Sequence, residues 1–434
     1  MKVYKFGGTS VGNVQRMKNI YNIIRGEEQI MVVLSAMSGT TNALVEIGQL
    51  TLTGNKKEAY ESLQVMQKQY VETARQLLED DEAACQHLKE LFTGIEPVIA
   101  RAPEPHTEAA IVAVGEKLST YLFHRFLEKQ HLSSALLDAT QIIRLDAQGE
   151  PDVQDIRARL EAELPKHGQA SVLVIQGFIC SDSSGNISNL GRGGSDYSAS
   201  LFAAALQSEE VQIWTDIDGV QNNDPRHIEN TRPVRQLLFD EAAELAYFGA
   251  KILHPACVLP AQKSNIPVLL KNTLHPEDAG TLISKDSTGN GFKAVAARDN
   301  ITAIRIKSSR MLLAYGFLRK VFEVFEKYKT PIDMITTSEV AVSLTIDDTR
   351  HLKEILEDLQ PYGKVTVDHN KTMVGIVGNL NAEETGLAQQ LFSALSDIPI
   401  RMISYGASQY NFSILINTED KIRTLQALNN NLFD

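Results

Sequence analysis

Lys2-Val3-Tyr4-Lys5-Phe6-Gly7-Gly8-Thr9-Ser10 stands at the start of the chain. Lys2 to Phe6 reads as a short strand, and the glycine pair breaks it. Val14, Met17, Tyr21 and Ile24 then recur at helical spacing. A strand that passes through glycines into a helix suits an anion. Backbone N–H groups can approach a phosphate there, and the helix N-terminus adds a favourable field. Lys5 is placed to reach phosphate oxygens. The Walker A pattern is not satisfied: Gly7 and Gly12 have its spacing, but Asn13 stands where its Lys is required. An ordinary strand–turn–helix of small residues has the same pattern, so this stretch alone leaves phosphate binding open.

Working outward, short apolar runs alternate with helical patterns over the first 290 residues. Ile30 to Leu34, Ile111 to Val114, Ala135 to Asp138, Val172 to Ile179, Val211 to Trp214 and Val268 to Leu270 read as strands, and residues 56–93 as helices. This alternation predicts an α/β domain with a largely parallel sheet covered on both faces. Asp286 to Gly291 is a polar, glycine-containing break. Beyond it the spacing predicts strand Ile301–Ile306, helix Gly316–Tyr328, strand Met334–Thr336, strand Ala341–Ile346, helix Thr349–Leu359 and strand Lys364–Asp368. A similar order returns in Met373–Val377, Glu383–Leu395, Ile400–Ser404, Asn411–Ile416 and a helix from Thr418. Two ferredoxin-like modules of the β-α-β-β-α-β kind, over 291–369 and 370–434 and open to interlacing, follow the first domain of 1–290.

Composition narrows the function classes. Of 434 residues, 43% are hydrophobic and 22% charged, as in ordinary globular proteins. The longest apolar runs, such as Ser171 to Cys180, fall well short of the roughly 20 residues that span a bilayer. The N-terminus lacks the apolar core and cleavage site of a signal peptide, so a cytoplasmic protein is expected. A net charge of −12 repels nucleic acid on average. Cys85, Cys180 and Cys257 have neither disulfide nor zinc spacing. Ten histidines show no HxH or HxxxH pairing, and His106, His227 and His254 read as structural, so no protein metal site is expected.

Three further segments carry chemistry. Gly191-Arg192-Gly193-Gly194-Ser195-Asp196 opens a helix at Tyr197 without matching the dinucleotide fingerprint. Arg192 suits a bidentate carboxylate, and Asp196 can position cations around a phosphate. A loop capped by Ser or Asp accounts for the segment equally well. Trp214-Thr215-Asp216-Ile217-Asp218-Gly219 ends a strand where α/β folds bind nucleotides, or forms an Asp-Gly turn. Asp224-Pro225-Arg226 and Lys251 add charges nearby in sequence. Gly115-Glu116 puts a carboxylate at an expected strand end, or at a helix N-terminus.

KFGGTSV, NLGRGGSDYSA, WTDIDGV and FGAKILHP, in this order, resemble the aspartokinase family. The likeness spans the whole chain, with the terminal modules similar to that family's two ACT domains. It implies a three-layer amino-acid kinase fold with a mainly parallel sheet, and aspartate and ATP as substrates with Mg2+. The ATP site it implies is Lys5, Phe6, Gly7, Gly8, Thr215, Asp216, Gln221, Arg226 and Lys251; the family often has Tyr where Gln221 stands. The aspartate site it implies is Ser35, Thr41, Glu116, Phe178, Arg192, Ser195 and Asp196. Lys5, Asp196 and Lys251 carry the transfer. The resemblance also implies an allosteric site at Met311, Gly316, Phe317, Leu318, Ile332, Asp333, Thr337, Ser338, Glu339 and Val340. Its pattern favours lysine over threonine, although Pro331 replaces a polar residue. ACT modules usually pair across subunits, which implies a homodimer or a dimer of dimers. The chain ends at Asp434 with no homoserine dehydrogenase extension expected. Another kinase of this fold, acting on glutamate, N-acetylglutamate, uridylate or carbamate, is opposed by VLSAMSGTTN and the paired modules. A non-catalytic amino-acid sensor is opposed by the intact Lys5, Arg192 and Asp196.

Overall fold

The computed structural model describes residues 1–79, 81–249, 255–286, 289–308, 315–380 and 385–433. The chain forms two compact units: Met1–Val220 with Arg235–Phe239 and Ile252–Ser287, and Gln221–Val234 with Asp240–Lys251 and Thr288–Asp434.

The first unit is built on an eight-stranded sheet. Its strands run in the order Gln236–Leu238, Thr281–Ser284, Val268–Asn272, Val211–Thr215, Lys2–Phe6, Ile30–Leu34, Val172–Gln176, Ser134–Leu136. Every neighbouring pair is parallel except Val268–Asn272 with Thr281–Ser284. The central strands are buried along their length, as strands covered on both faces must be. Phe6, Met17, Ile20, Leu44, Phe123 and Phe126 belong to one apolar core with these strands. The first helix, Val14–Ile24, starts where the Asn13 side chain accepts from the Arg16 N–H at 3.0 Å.

One expected strand is a helix. Ile111 to Val114 lies in Thr107–Val112 and at the start of Val114–Lys129, so Gly115-Glu116 sits in a first helical turn. The period of this apolar run shows only when the residues after it are included. Ile111, Gly115, Leu118, Leu122 and Phe126 recur at intervals of three and four and are buried as one stripe.

The second unit holds a six-stranded antiparallel sheet in the order Ile335–Ser338, Ala341–Ile346, Gly291–Lys307, Lys364–Asn379, Asn411–Asn417, Ile400–Tyr405. The two expected strands Lys364–Asp368 and Met373–Val377 are one strand of 16 residues, and Ile301–Ile306 belongs to one of 17. These two long strands run through both modules. One half packs Ile304, Ile306 and Leu344 against Val321 and Ile355. The other packs Ile376, Phe412 and Ile414 against Leu391 and Leu425. Among the described residues no strand follows the helix Lys421–Leu432 in the second module; residues 291–298 of the shared strand pair beside Met373–Asn379. Where the halves meet, the pairing bulges between Arg298 and Ile301, and Asn300 and Asn370 both take positive φ, 63° and 55°.

Two segments that precede the modules in sequence are built into this unit. Asn223 Nδ2 donates to the Leu425 carbonyl at 3.0 Å. In the helix Phe239–Tyr247, Glu241 pairs with Lys293 at 2.7 Å and Glu244 accepts from Asn411 at 3.0 Å.

Candidate functional site

Parallel register brings the chemistry of the first unit to one edge. Phe6 pairs with Leu34 and Trp214, and Leu34 with Gln176. Gly7, Ser35, Gly177 and Thr215 therefore leave the sheet side by side at the carboxyl ends, or close that end, where open α/β sheets bind ligands. The helix Gly194–Leu206 begins there, after Gly193 at φ 72°. A cavity of about 270 Å³ lies among Lys5, Ser35, Thr41, Glu116, Phe178, Gly191, Gly193, Gly194, Ser195 and Asp196.

Charge is arranged sparingly in this cavity. Lys5 is 9% exposed, and its Nζ lies 2.6 Å from Asp196 Oδ1. The pair holds the ammonium at the glycine turn while keeping the site close to neutral. Glu116 is 2% exposed; its Oε1 accepts from the Ala36 N–H at 3.2 Å, and its Oε2 has no partner. Burial pushes the Glu116 carboxyl up to about 7, against the lowering effect of the Ala36 bond. A buried carboxylate with a spare oxygen is a site for a cation. Ser119 Oγ donates to the Ser35 carbonyl at 2.8 Å, which ties the Glu116 helix to the end of a central strand. Ser35 Oγ donates to Ser195 Oγ at 2.9 Å.

The remaining expected site residues are not among those that line the cavity. Phe6, Gly7 and Gly8 form the strand end and turn beside Lys5. Arg192 is exposed, between two lining glycines. Thr215 Oγ1 donates to the exposed Asp216 at 3.2 Å. Gln221 and Arg226 belong to the second unit. There Arg226 is paired with Asp224 at 2.6 Å and holds that carboxyl below the usual range. Lys251 lies outside the described residues.

A second cavity, of about 290 Å³, opens in the second unit. Thr337 and Ser338 line it with Arg305, Thr336, Ser343, Asp368 and Arg401, and Arg401 is paired with Asp368. The other expected effector residues are not among its lining. Gly316 precedes the helix Phe317–Lys327, Phe317 is in the core, and Leu318, Glu339 and Val340 are exposed. Ile332 packs against that core. Asp333 sits in a cluster that its sequence surroundings did not signal. Tyr247 Oη donates to its Oδ1 at 2.5 Å, and Arg298 lies 3.6 Å from that oxygen and 5.4 Å from the Tyr247 ring. Asp333 Oδ2 is buried without a partner, and burial raises the carboxyl's pKa. Met311 lies outside the described residues.

Known proteins match both units. Residues 1–272 match the model of the amino acid kinase family, and residues 374–432 that of an ACT domain. Lysine-sensitive aspartokinase 3 of Escherichia coli (strain K12) is 34% identical, with 100% of this chain and 99% of that protein aligned. Aspartokinase 1, chloroplastic, of Arabidopsis thaliana is 33% identical over 100% of this chain and 80% of its own length. Among solved structures, E. coli aspartokinase III in complex with aspartate and ADP superposes with a TM-score of 0.83 at 34% identity, covering 100% of both chains. The same enzyme with lysine and aspartate gives the same values.

Proposed function

The chain belongs to the amino acid kinase family, as an aspartokinase, and from that premise we propose that it transfers the γ-phosphate of ATP to the side-chain carboxylate of L-aspartate. The products are 4-phospho-L-aspartate and ADP, the first step toward lysine, threonine and methionine. The observation that carries the reading is the cavity that joins the Lys5–Asp196 pair to the buried, half-satisfied Glu116.

The chemistry asks for positioning and charge neutralisation. The nucleophile is a carboxylate, anionic at neutral pH, so no general base is needed. The obstacle is the approach of an anion to a polyanion. Lys5 offsets it on the phosphate side, with the glycine N–H groups beside it and Lys251 as its partner in the transfer. Asp196 orients Lys5 and does not attack. Glu116 takes the α-ammonium of aspartate on its spare oxygen, Arg192 takes the α-carboxylate, and Ser35, Thr41, Phe178 and Ser195 shape the pocket. Phe6, Gly7, Gly8, Thr215, Asp216, Gln221 and Arg226 serve the nucleotide.

Among the described residues no three His, Cys, Asp or Glu side chains are grouped to hold a metal. That donor set fits a Mg2+ that travels with the nucleotide, since such an ion keeps several waters and takes phosphate oxygens with one or two carboxylates. Asp196, beside Lys5, is the cavity carboxylate on the phosphate side and would be the one to hold it, and the ion would supply further neutralisation of phosphate charge.

Lysine is the effector in this reading, held by Met311, Gly316 to Leu318 and Ile332 to Val340, and a homodimer or dimer of dimers forms through the ACT modules. A cytoplasmic location belongs to the same proposal; among the described residues no helix is long and apolar enough to cross a membrane.

The test is an ATP-dependent hydroxamate assay with aspartate, run with and without lysine and threonine. Aspartyl hydroxamate formation that lysine suppresses is expected. No product from aspartate, or product from glutamate instead, overturns the assignment, and inhibition by threonine alone overturns the effector. Lys5→Ala is expected to abolish turnover in a folded protein; near-normal turnover would remove its phosphate role.

A further inference from the structure

Phe178 holds an uncommon backbone conformation at the edge of the cavity. Its φ is +68°, a region that costs a non-glycine residue about 1 kcal/mol or more and persists only where the surroundings fix it. Three bonds do so here. The Phe178 carbonyl accepts from the Leu190 N–H at 2.8 Å, and the following Ile179 N–H donates to the Gly177 carbonyl at 2.7 Å. The Phe178 N–H, directed toward the helix Gly194–Leu206, donates to Ser198 Oγ at 2.9 Å. Ser198 is fully buried, and its hydroxyl donates in turn to the Gly194 carbonyl at 2.9 Å. The Phe178 ring lies so close over Gly194 that a Cβ there would meet its Cδ2 at 2.7 Å.

We propose that Ser198 is a positioning residue for the amino-acid substrate: its hydroxyl clamps the strained Phe178 main chain to the first turn of the helix and thereby fixes the side of the cavity that aspartate occupies. Ser198 is not among the residues that line the cavity, so its effect runs through Phe178. Its loss leaves a part-buried N–H at Phe178 without its acceptor, and the turn has reason to relax toward negative φ. Asp196 shares that first turn, but it is held by Lys5 at 2.6 Å, while the Ser198 hydroxyl bonds only to Phe178 and Gly194, so the nucleotide side is spared. The proposal rests on the aspartate kinase reading.

Ser200 supplies a matched control. It lies two residues on in the same helix, fully buried, with a hydroxyl that has no hydrogen-bond partner. Initial rates are measured for wild type, Ser198→Ala, Ser198→Thr and Ser200→Ala while aspartate and ATP are varied separately. Ser198→Ala is expected to raise the KM for aspartate about tenfold, the scale of one part-buried donor left unsatisfied, with kcat and the KM for ATP within about twofold. Ser198→Thr, which keeps the acceptor, restores the KM, and Ser200→Ala resembles wild type. An unchanged aspartate KM in Ser198→Ala, equal movement of both KM values, or the same change in Ser200→Ala overturns the proposal. If Ser198→Ala is not recovered folded, Ser198→Val against Ser198→Thr repeats the comparison at equal volume. A wild type without aspartate-dependent turnover overturns the kinase reading itself, and the proposal with it.

Discussion

Glu116 shows how one buried carboxyl ties substrate binding to pH. With its carboxyl pushed up to about 7, the folded chain binds a proton that the unfolded chain lacks between the ordinary carboxylate range and about pH 7. The folded state therefore loses stability as pH rises through that window. Glu116→Gln is expected to melt higher than wild type at about pH 8, with the difference closing by about pH 5 in a thermal-melt series. With Glu116 in its proposed role, substrate binding runs the other way, because only the carboxylate offsets an ammonium. The KM for aspartate should rise as much as tenfold per unit below about pH 7 in wild type and stay flat in Glu116→Gln. A pH-independent wild-type KM would count against the ammonium role. At this scale the sequence is informative where chemistry is local. The glycines around Lys5 and Ser195 announce backbone approaching an anion, and the cavity gathers Lys5, Ser35, Thr41, Glu116, Phe178, Ser195 and Asp196. Ser198 gives no such signal, since a serine inside an apolar helix looks the same whether its hydroxyl is used or idle.

The helix Phe239–Tyr247 illustrates what is lost between motifs. It carries Glu241, Glu244 and Tyr247 to three partners more than 50 residues away: Lys293, Asn411 and Asp333. No spacing rule reaches that far, and only the alternation of apolar residues is visible in the sequence. The Tyr247 contact bears on regulation. If Asp333 takes an amine effector as proposed, the tyrosine hydroxyl on its Oδ1 draws on the same negative charge, so effector and tyrosine would compete for the carboxylate. Tyr247→Phe should lower the lysine concentration for half-inhibition about tenfold, the scale of a hydrogen bond to a charged group, as read in a lysine titration of activity. Weaker inhibition would mean that the tyrosine assists the effector instead. Packing after this helix is equally exacting: a Cβ on Gly375 would lie 2.3 Å from the Phe248 ring. Gly375→Ala is expected to lower the melting temperature by several degrees, with an unchanged value showing that the ring can move aside. The misread strand at Ile111 to Val114 belongs to this scale as well, because a four-residue apolar run has no period of its own.

Across the whole molecule, the parallel sheet was legible and the way the chain divides was not. Alternating strand and helix patterns carry the sheet's direction, since each parallel neighbour needs a crossover. Segments 221–234 and 240–249 read as ordinary parts of that alternation, yet they cluster with the modules that come after them. Bonds between residues far apart in sequence hold them there, such as Asn223 to the Leu425 carbonyl and the Val295 N–H to the Asn222 carbonyl. A fragment ending at residue 290 would keep Glu241, fully buried here, and lose Lys293. Removing one partner of a buried ion pair costs several kcal/mol. That fragment is expected to lack kinase turnover and to be cut rapidly by protease within 221–249; full activity from it would show that these segments hold their places unaided.

The strands Gly291–Lys307 and Lys364–Asn379 give the two halves of the antiparallel sheet a common spine. No single peptide bond therefore separates one half from the other. A chimera that trades effector specificity with a relative by one crossover at residue 370 would join half a ribbon to a stranger at both ends. A workable exchange takes an inner cassette, from the Asn300 bulge to the Asn370 bulge, and leaves the outer half whole.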